Sequence, residues 1–272
     1  MPWTSQHLRW LANTGVVLQT ADGHDIPVWE FRCCHDDAVI SAWARHFRNH
    51  YCLDTEIDYL RQGIGQSRAD YLNTIKFPDS RTAPGPSIRA GDFGEVLVAD
   101  YLELVLGYWV PRTRYADKAI RNESTKGCDV IGFRLLGNGE DSLEDTLAMF
   151  ESKTQFTGRH PEPRLQHAVD GSAKDQVRKA ESLNAMKQHL FDKQRLDEAT
   201  RVERFQNTED RPYREVCGAV ALFSSPLFDE TLAMQTTAQR HPSPASLVLL
   251  VINGDAMMNL IHELYRRAAD EA

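Results

Sequence analysis

The chain has 272 residues, of which 42% are hydrophobic and 26% are charged, and its formal net charge is −8. This balance excludes a disordered or fibrous protein and fits one large globular domain, with or without a smaller appendage. The negative charge argues against a protein that coats nucleic acid by charge alone, but it is compatible with an enzyme that binds DNA in one basic cleft.

The cysteines and the apolar runs predict a cytoplasmic protein without membrane attachment. The five cysteines are odd in number, Cys33 and Cys34 are adjacent, and no C-x-x-C pair is present. Such a pattern indicates reduced thiols and disfavours a zinc ribbon or a thioredoxin-like redox site. The longest apolar runs, 219–223 and 247–252, are too short for a membrane span, which needs about 20 residues. No signal peptide is predicted at the N-terminus.

Residues 1–84 are predicted to form an N-terminal α+β region, for which we consider a partner-docking role. Short strands are expected at 16–18 and 27–31 around a turn at Asp22-Gly23, followed by helices at 36–51 and near 54–72. Residues 77–86 contain three prolines and a glycine, which is typical of a loop or linker. The domain boundary is therefore placed after residue 84.

Residues 85–272 show the order helix, strand, strand, helix, strand, strand, helix. The helices are expected at 91–108, from about 172 onward and at 255–269, and the strands at 129–135, 146–155, 216–223 and 247–252. A turn beginning at 137–139 and a loop at 158–171 connect them. This order predicts a mixed sheet covered by helices, of the α/β or α+β class.

Two acids and a lysine on the predicted strands are candidate functional residues. Side chains two apart on a strand share a face, so Glu151 and Lys153 of the Glu151-Ser152-Lys153 triplet project together. If strands 129–135 and 146–155 form an antiparallel hairpin, Asp129 lies almost opposite Glu151. The triplet alone is no evidence, because among 39 acids and few lysines such spacing is expected about once by chance.

Glu95 is an independent candidate on the helix that precedes these strands. It shares a helical face with the apolar Val98, Ala99 and Leu102, so we expect it to point toward the sheet. The alternative interpretation is an acid near a helix N-terminus, favoured there by the helix dipole.

The carboxylates of these residues are hard oxygen ligands of the kind that Mg²⁺ or Mn²⁺ prefers. Such an ion can polarise a phosphate and lower the pKa of bound water, while Lys153 would orient or deprotonate that water and offset charge on the phosphate. The residues thus predict metal-dependent hydrolysis of phosphodiesters without a covalent intermediate.

The arrangement resembles the PD-(D/E)xK nuclease superfamily, whose pattern is a Glu on a helix, an Asp at a strand start and Glu-x-Lys on the next strand. The matching positions are Glu95, Asp129 and the Glu151-Ser152-Lys153 triplet, with Cys128 where a proline often precedes the Asp. The resemblance implies a restriction-endonuclease-like fold, a catalytic set of Glu95, Asp129, Glu151 and Lys153, and metal ligation by the three acids and the Ser152 carbonyl.

From about Ile88 the chain is also similar to HamA, the nuclease subunit family of the Hachiman anti-phage system. The shared features are the Gly-x-x-Gly-Glu helix start, the Asn122-x-Ser124-x-x-Gly127-x-Asp129 segment, and a Glu-x-Lys strand followed by a long helix. This similarity implies a cytoplasmic defence nuclease that acts on DNA together with a helicase partner, which restrains it until infection or DNA damage.

Four further residues are candidate DNA contacts: Gln155, Lys174, Arg178 and Lys179. Gln155 lies two residues beyond Lys153 on the same strand face, and the other three are expected on the polar side of the following helix, where a solvated surface is an equally good interpretation. Two other functions stay open: a non-catalytic interaction subunit with a nuclease fold, and a stand-alone restriction-type endonuclease. The latter would need a sequence-reading element, and the sequence contains no helix-turn-helix or zinc finger motif.

Overall fold

A computed structural model describes residues 4–34, 36–116, 118–137 and 141–272. Asn138 and Gly139 of the predicted turn lie outside the described residues. The strands are β1 (Leu11–Gln19), β2 (Asp25–Phe31), β3 (Val130–Arg134), β4 (Thr146–Gln155), β5 (Arg214–Ser224) and β6 (Leu247–Gly254). The α-helices are α1 (Asp37–Tyr51), α2 (Ile57–Arg61), α3 (Arg68–Tyr71), α4 (Gly85–Asp100), α5 (Arg164–Val177), α6 (Lys179–Asp192), α7 (Leu196–Glu203), α8 (Glu230–Met234) and α9 (Met257–Asp270).

The described strands form one mixed sheet in the order β1-β2-β6-β5-β4-β3. The four inner strands β2, β6, β5 and β4 are parallel to one another, and antiparallel hairpins close both edges, β1 with β2 and β3 with β4. The central strands read as continuous apolar runs, as expected of parallel strands that are covered on both faces. The predicted α/β class with a mixed sheet flanked by helices is confirmed.

Two apolar cores lie on opposite faces of the sheet. On one face, α1, α4 and α9 bury Trp43, Phe93 and Tyr265, which are each at most 1% exposed. On the other face, α5, α6 and α7 contribute Leu165 and Val202 to a second core. Across the described ranges, no helix combines the length and apolar character that crossing a membrane requires.

The N-terminal region is built into this sheet. β2 pairs with β6, with Val28 opposite Val251, and α1 packs against α9, where Arg48 donates to the Ala268 carbonyl at 3.0 Å. The predicted boundary after residue 84 therefore passes through a shared sheet and a shared core. The partner-docking role of residues 1–84 stays a prediction.

Several element boundaries differ from the predictions. α4 begins at Gly85 instead of 91, because Pro86 fits the first turn of a helix, where its missing N–H is not needed. The helix predicted near 54–72 is wrong: the short helices α2 and α3 flank a turn at Gly65, whose φ of +70° suits glycine. The helix predicted from about 172 begins eight residues earlier at Arg164 and is divided at Arg178 into α5 and α6.

Candidate active site

The β3–β4 hairpin places two of the predicted acids side by side. Val130 pairs with Phe150 in the antiparallel register, so the next pair along the ladder is Asp129 and Glu151, as predicted. The Ser152 N–H donates to Asp129 Oδ2 at 3.1 Å, which fixes the Asp129 carboxylate against β4. Lys153 lies on the Glu151 side of β4 and forms an ion pair with it.

Glu95 points from α4 toward this hairpin and is 7% exposed. The approach is close because residue 94 is glycine: a Cβ there would lie 2.5 Å from Thr154 Cγ2. Since α4 starts at Gly85, Glu95 lies nearly three turns inside the helix. The alternative of an acid held by the helix N-terminus is therefore wrong, and Glu95 belongs to the buried face as predicted.

Arg114 joins Glu95 to Asp129, and sequence reasoning missed it. Its Nε donates to Glu95 Oε2 at 2.6 Å and its Nη2 to Asp129 Oδ1 at 2.7 Å. The guanidinium also donates to the carbonyls of Thr125 and Cys128, so it is held on several sides. Arg114 comes from the segment between α4 and β3, and no motif or spacing in the sequence points to it.

The acids of this cluster are crowded and shielded from water. Burial, reinforced by the charge of Asp129, raises the pKa of Glu95 to about 7. Burial likewise raises the pKa of Asp129 to about 7, with a contribution from the Glu151 charge, and it raises the pKa of Glu151. Burial alone would lower the pKa of Lys153, but the Glu151 and Asp129 charges raise it, so the lysine is protonated at neutral pH.

Asp175 on α5 is a further acid beside Glu151 that the sequence analysis missed. It is 7% exposed, its Oδ2 has no hydrogen-bond partner among the described residues, and burial raises its pKa. α5 approaches Glu151 through Gly171, where a Cβ would lie 2.5 Å from Glu151 Oε1. A signal was present, because Asp175 continues the buried stripe of Leu165, Ala168 and Ser172. Because the helix is predicted to begin only at about residue 172, the prediction does not include the first part of this stripe.

The donor set suits a divalent cation. Three buried carboxylates converge, from Glu95, Asp129 and Glu151, and burial raises the pKa values of Glu95 and Asp129, so their charged forms would be favoured by an added cation. Carboxylate and carbonyl oxygens are the ligands that Mg²⁺ and Mn²⁺ prefer. The residues present therefore fit the predicted metal, and ligation by them and by the Ser152 carbonyl stays a prediction.

Two cavities meet at Glu95 and Asp129 and make the cluster accessible from two sides. One, of about 970 Å³, also contains Lys126 and Arg178 in its wall. The other, of about 750 Å³, includes Lys153 together with Arg81 and Arg164. Basic side chains thus surround the acids, although the chain as a whole has a net charge of −8. Such a local concentration of positive charge favours the binding of an anion in the cleft.

The four predicted DNA contacts occupy different positions relative to these cavities. Arg178 lines the first cavity, whereas Lys174 and Lys179 do not belong to the described lining of either. Lys179 is paired with Glu215 and lies against the Tyr213 ring. Gln155 faces the second cavity, but its amide is bonded to the backbone of His160 and Glu162 in the next loop. Direct contact of any of the four with DNA stays a prediction.

The fold and the site define a mixed α/β protein with a buried acid–lysine cluster at one edge of its sheet. The family model HamA matches residues 6–268. The chain belongs to the HamA family, which associates it with the Hachiman defence system and confirms the resemblance predicted from the sequence. The match also includes the N-terminal residues, which lay outside that resemblance. No curated protein gives a significant match.

Proposed function

We propose that the chain is a metal-dependent DNA nuclease, the effector subunit of a Hachiman anti-phage complex that contains a helicase partner and works in the cytoplasm. Membership of the HamA family supports the defence context. The observation that carries the nuclease assignment is the convergence of Glu95, Asp129, Glu151 and Lys153 at the junction of two cavities with basic walls.

Each residue has a role in phosphodiester hydrolysis. Glu95, Asp129 and Glu151 would hold Mg²⁺ or Mn²⁺, with the Ser152 carbonyl as an additional ligand, and a bound ion supplies polarisation of the phosphate and a lowered pKa for water. The protonated Lys153 orients the attacking water and offsets charge that develops on the phosphate. Ser152, through its N–H on Asp129 Oδ2, keeps that carboxylate turned toward the cluster.

The experiment is cleavage of supercoiled plasmid in Mg²⁺ by the purified protein, alone and with its helicase partner. Lys153→Ala is compared with Lys187→Ala, which removes a lysine from an exposed pair with Glu203. We expect Lys187→Ala to cleave the plasmid like the wild type. The cleavage rate of Lys153→Ala should fall by at least about 10²-fold, as when a group that stabilises charge in the transition state is removed. Unchanged cleavage by Lys153→Ala would refute the assignment.

A protein that only docks on a partner would give a different result. It would not cleave under either condition, and Mg²⁺ would not stabilise it. A nuclease of the proposed type is stabilised by Mg²⁺ in thermal denaturation, and this stabilisation is absent in Glu151→Gln. The combination of no cleavage with no Mg²⁺ effect in the wild type would therefore favour the interaction subunit.

A further inference from the structure

A second cluster of ligand-type side chains lies near the C-terminal end of α4, and its His50 lines the same cavity as Glu95 and Asp129. It contains His46 and His50 of α1 and Asp100 at the end of α4, and each is at most 3% exposed. His7, fully buried, contacts the same carboxylate from the N-terminal turn. Neither the nuclease mechanism nor the sequence motifs use any of these residues.

The three ligand atoms have the spacing of a metal site. His46 Nε2 lies 3.3 Å from His50 Nε2 and 3.0 Å from Asp100 Oδ1, and all three atoms are within 4.8 Å of one another. A tetrahedral zinc ion with bonds of about 2.0 to 2.1 Å keeps its ligand atoms roughly 3.3 Å apart. Histidines at positions i and i+4 project from the same face of a helix, which gives α1 two of the ligands.

Two imidazole nitrogens and one carboxylate oxygen converge in this cluster. The two imidazoles face each other through the same nitrogen, Nε2, and Asp100 Oδ1 approaches one of them. A single N–H on His46 points along one direction and cannot serve His50 and Asp100 equally well. A cation between the three atoms would be a common partner for all of them.

The surrounding charges accommodate a divalent ion. The cluster and its neighbours contain two carboxylates, Asp100 and Glu103, and one guanidinium, Arg112, which contacts Asp100 Oδ1 at 2.7 Å and Glu103 Oε2 at 2.7 Å. With neutral imidazoles the local charge is one negative unit before a cation is added. His7 Nε2 lies 2.9 Å from Asp100 Oδ2 and holds the carboxylate in place, as outer partners of metal ligands do.

We propose that His46, His50 and Asp100 form a buried zinc site that fastens α1 to α4. Two imidazoles and one carboxylate are a borderline-soft donor set that suits Zn²⁺, in contrast to the all-oxygen cluster around Glu95. Because the three side chains are buried, the ion is incorporated as the chain folds and has a structural role. It lies on the same helix as Glu95, so it also stabilises the helix that carries a nuclease acid.

The test is the zinc content of the full chain, produced with zinc in the medium and dialysed against EDTA, measured by elemental mass spectrometry. We expect about one zinc per wild-type chain, as for one metal site in each chain. Asp129→Asn, which alters the nuclease cluster, should retain this zinc, and His50→Gln should lose it. Zinc that disappears with Asp129→Asn and persists in His50→Gln would overturn the proposal.

A second measurement does not depend on a variant that folds. The wild type is unfolded in denaturant with a chelator and refolded with Co²⁺, which absorbs strongly in the visible range when its coordination is tetrahedral. We expect this absorption to appear on refolding with Co²⁺ and to be absent when Zn²⁺ is present during refolding. A wild type that contains no zinc as purified and shows no tetrahedral Co²⁺ absorption after refolding would refute the site, whatever the outcome of the plasmid assay.

Discussion

Arg114 Nη2 lies 2.7 Å from Asp129 Oδ1, and the same guanidinium binds Glu95. An internal cation thus stands between two acids that are proposed to hold a metal. Removing one partner of a buried ion pair is costly, because the remaining charge is left without compensation. The stability of the protein without metal is therefore tied to Arg114.

Replacement of this arginine should make the protein more dependent on Mg²⁺. Arg114→Met is expected to lower the free energy of unfolding by about 3 kcal/mol in EDTA, since Glu95 and Asp129 then repel each other. Added Mg²⁺ should recover more stability in the variant than in the wild type. Thermal denaturation with and without Mg²⁺ measures both effects. The control is Arg134→Met, because Arg134 is hydrogen-bonded to the Tyr108 hydroxyl and not to a carboxylate. If Mg²⁺ stabilised the wild type and both variants equally, the prediction would be contradicted.

Asp175→Asn should stabilise the protein in the absence of metal, in contrast to Arg114→Met. The substitution removes a negative charge beside Glu151 and keeps the shape of the side chain. We expect a rise in melting temperature of about 2 to 4 °C in EDTA, the shift that about 1 kcal/mol gives a chain of this size. The stabilisation by Mg²⁺ should become smaller. A melting temperature below that of the wild type in EDTA would show that Asp175 has a purely structural role.

Gly171→Ala should impair the site more than the fold. The new methyl group would meet Glu151 Oε1 at 2.5 Å and Glu151 Cγ at 2.6 Å, so the Glu151 side chain must move. A displacement of about 1 Å at a reacting centre costs up to about 10²-fold in rate, and plasmid cleavage should fall accordingly. Gly63→Ala, with open space around its Cβ and outside the described lining of both cavities, is the control. Equal cleavage by the two variants would place Glu151 outside the reaction.

Arg178 and Lys179 are adjacent in sequence but should differ in DNA binding. Arg178 lines the cavity that contains Asp129, whereas Lys179 is paired with Glu215. Arg178→Ala is expected to weaken DNA binding and to reduce the slope of log K against log salt by about 1, the value for one lost phosphate contact. Lys179→Ala should leave that slope unchanged. Binding titrations at several salt concentrations distinguish them, and the reverse pattern would reassign the contact.

Asp145, in the connection before β4, is expected to stabilise the fold at neutral pH but not at acid pH. Asp145 is fully buried, accepts from Arg204 Nε at 3.0 Å, and accepts from two backbone N–H groups, those of Leu136 and Ser142. Burial alone would raise the pKa of Asp145, but these donors hold that pKa below its ordinary value.

A carboxylate with a lowered pKa stabilises the fold above the pKa of the unfolded chain, and it loses this effect as the pH falls through the folded pKa. Asp145→Asn should therefore cost about 3 kcal/mol at pH 7, as for a broken buried pair. The difference from the wild type should shrink as the pH falls below about 4, the ordinary range of an aspartate. Urea denaturation at pH 7 and pH 3 measures it, and a difference that does not change with pH would contradict the assignment.

The positions of the acid–lysine cluster could be predicted from the sequence where local periodicity determines which way a side chain points. Two-residue alternation places Glu151 and Lys153 on one side of β4, and the apolar stripe of α4 orients Glu95 inward. The hairpin register then brings Asp129 beside Glu151. These relations need only the period of a strand or a helix.

Other parts depend on packing between distant segments. Arg114 reaches the acids from an irregular segment, where no period restricts its direction. The spacing of His46 and His50 is visible in the sequence, but Asp100 comes from another helix and joins them only in the folded protein. Likewise, nothing in the local pattern of β2 shows that it pairs with β6, more than 200 residues later.

The position of β6 between β2 and β5 has a consequence for protein synthesis. The N-terminal hairpin can join the rest of the sheet only after residues 247–254 have left the ribosome, and α1 meets α9 later still. Contacts between segments so far apart in sequence form late and slowly. A nascent or prematurely terminated chain would therefore carry the proposed nuclease residues without the scaffold that aligns them, which would delay the proposed DNA-cutting activity until translation is nearly complete.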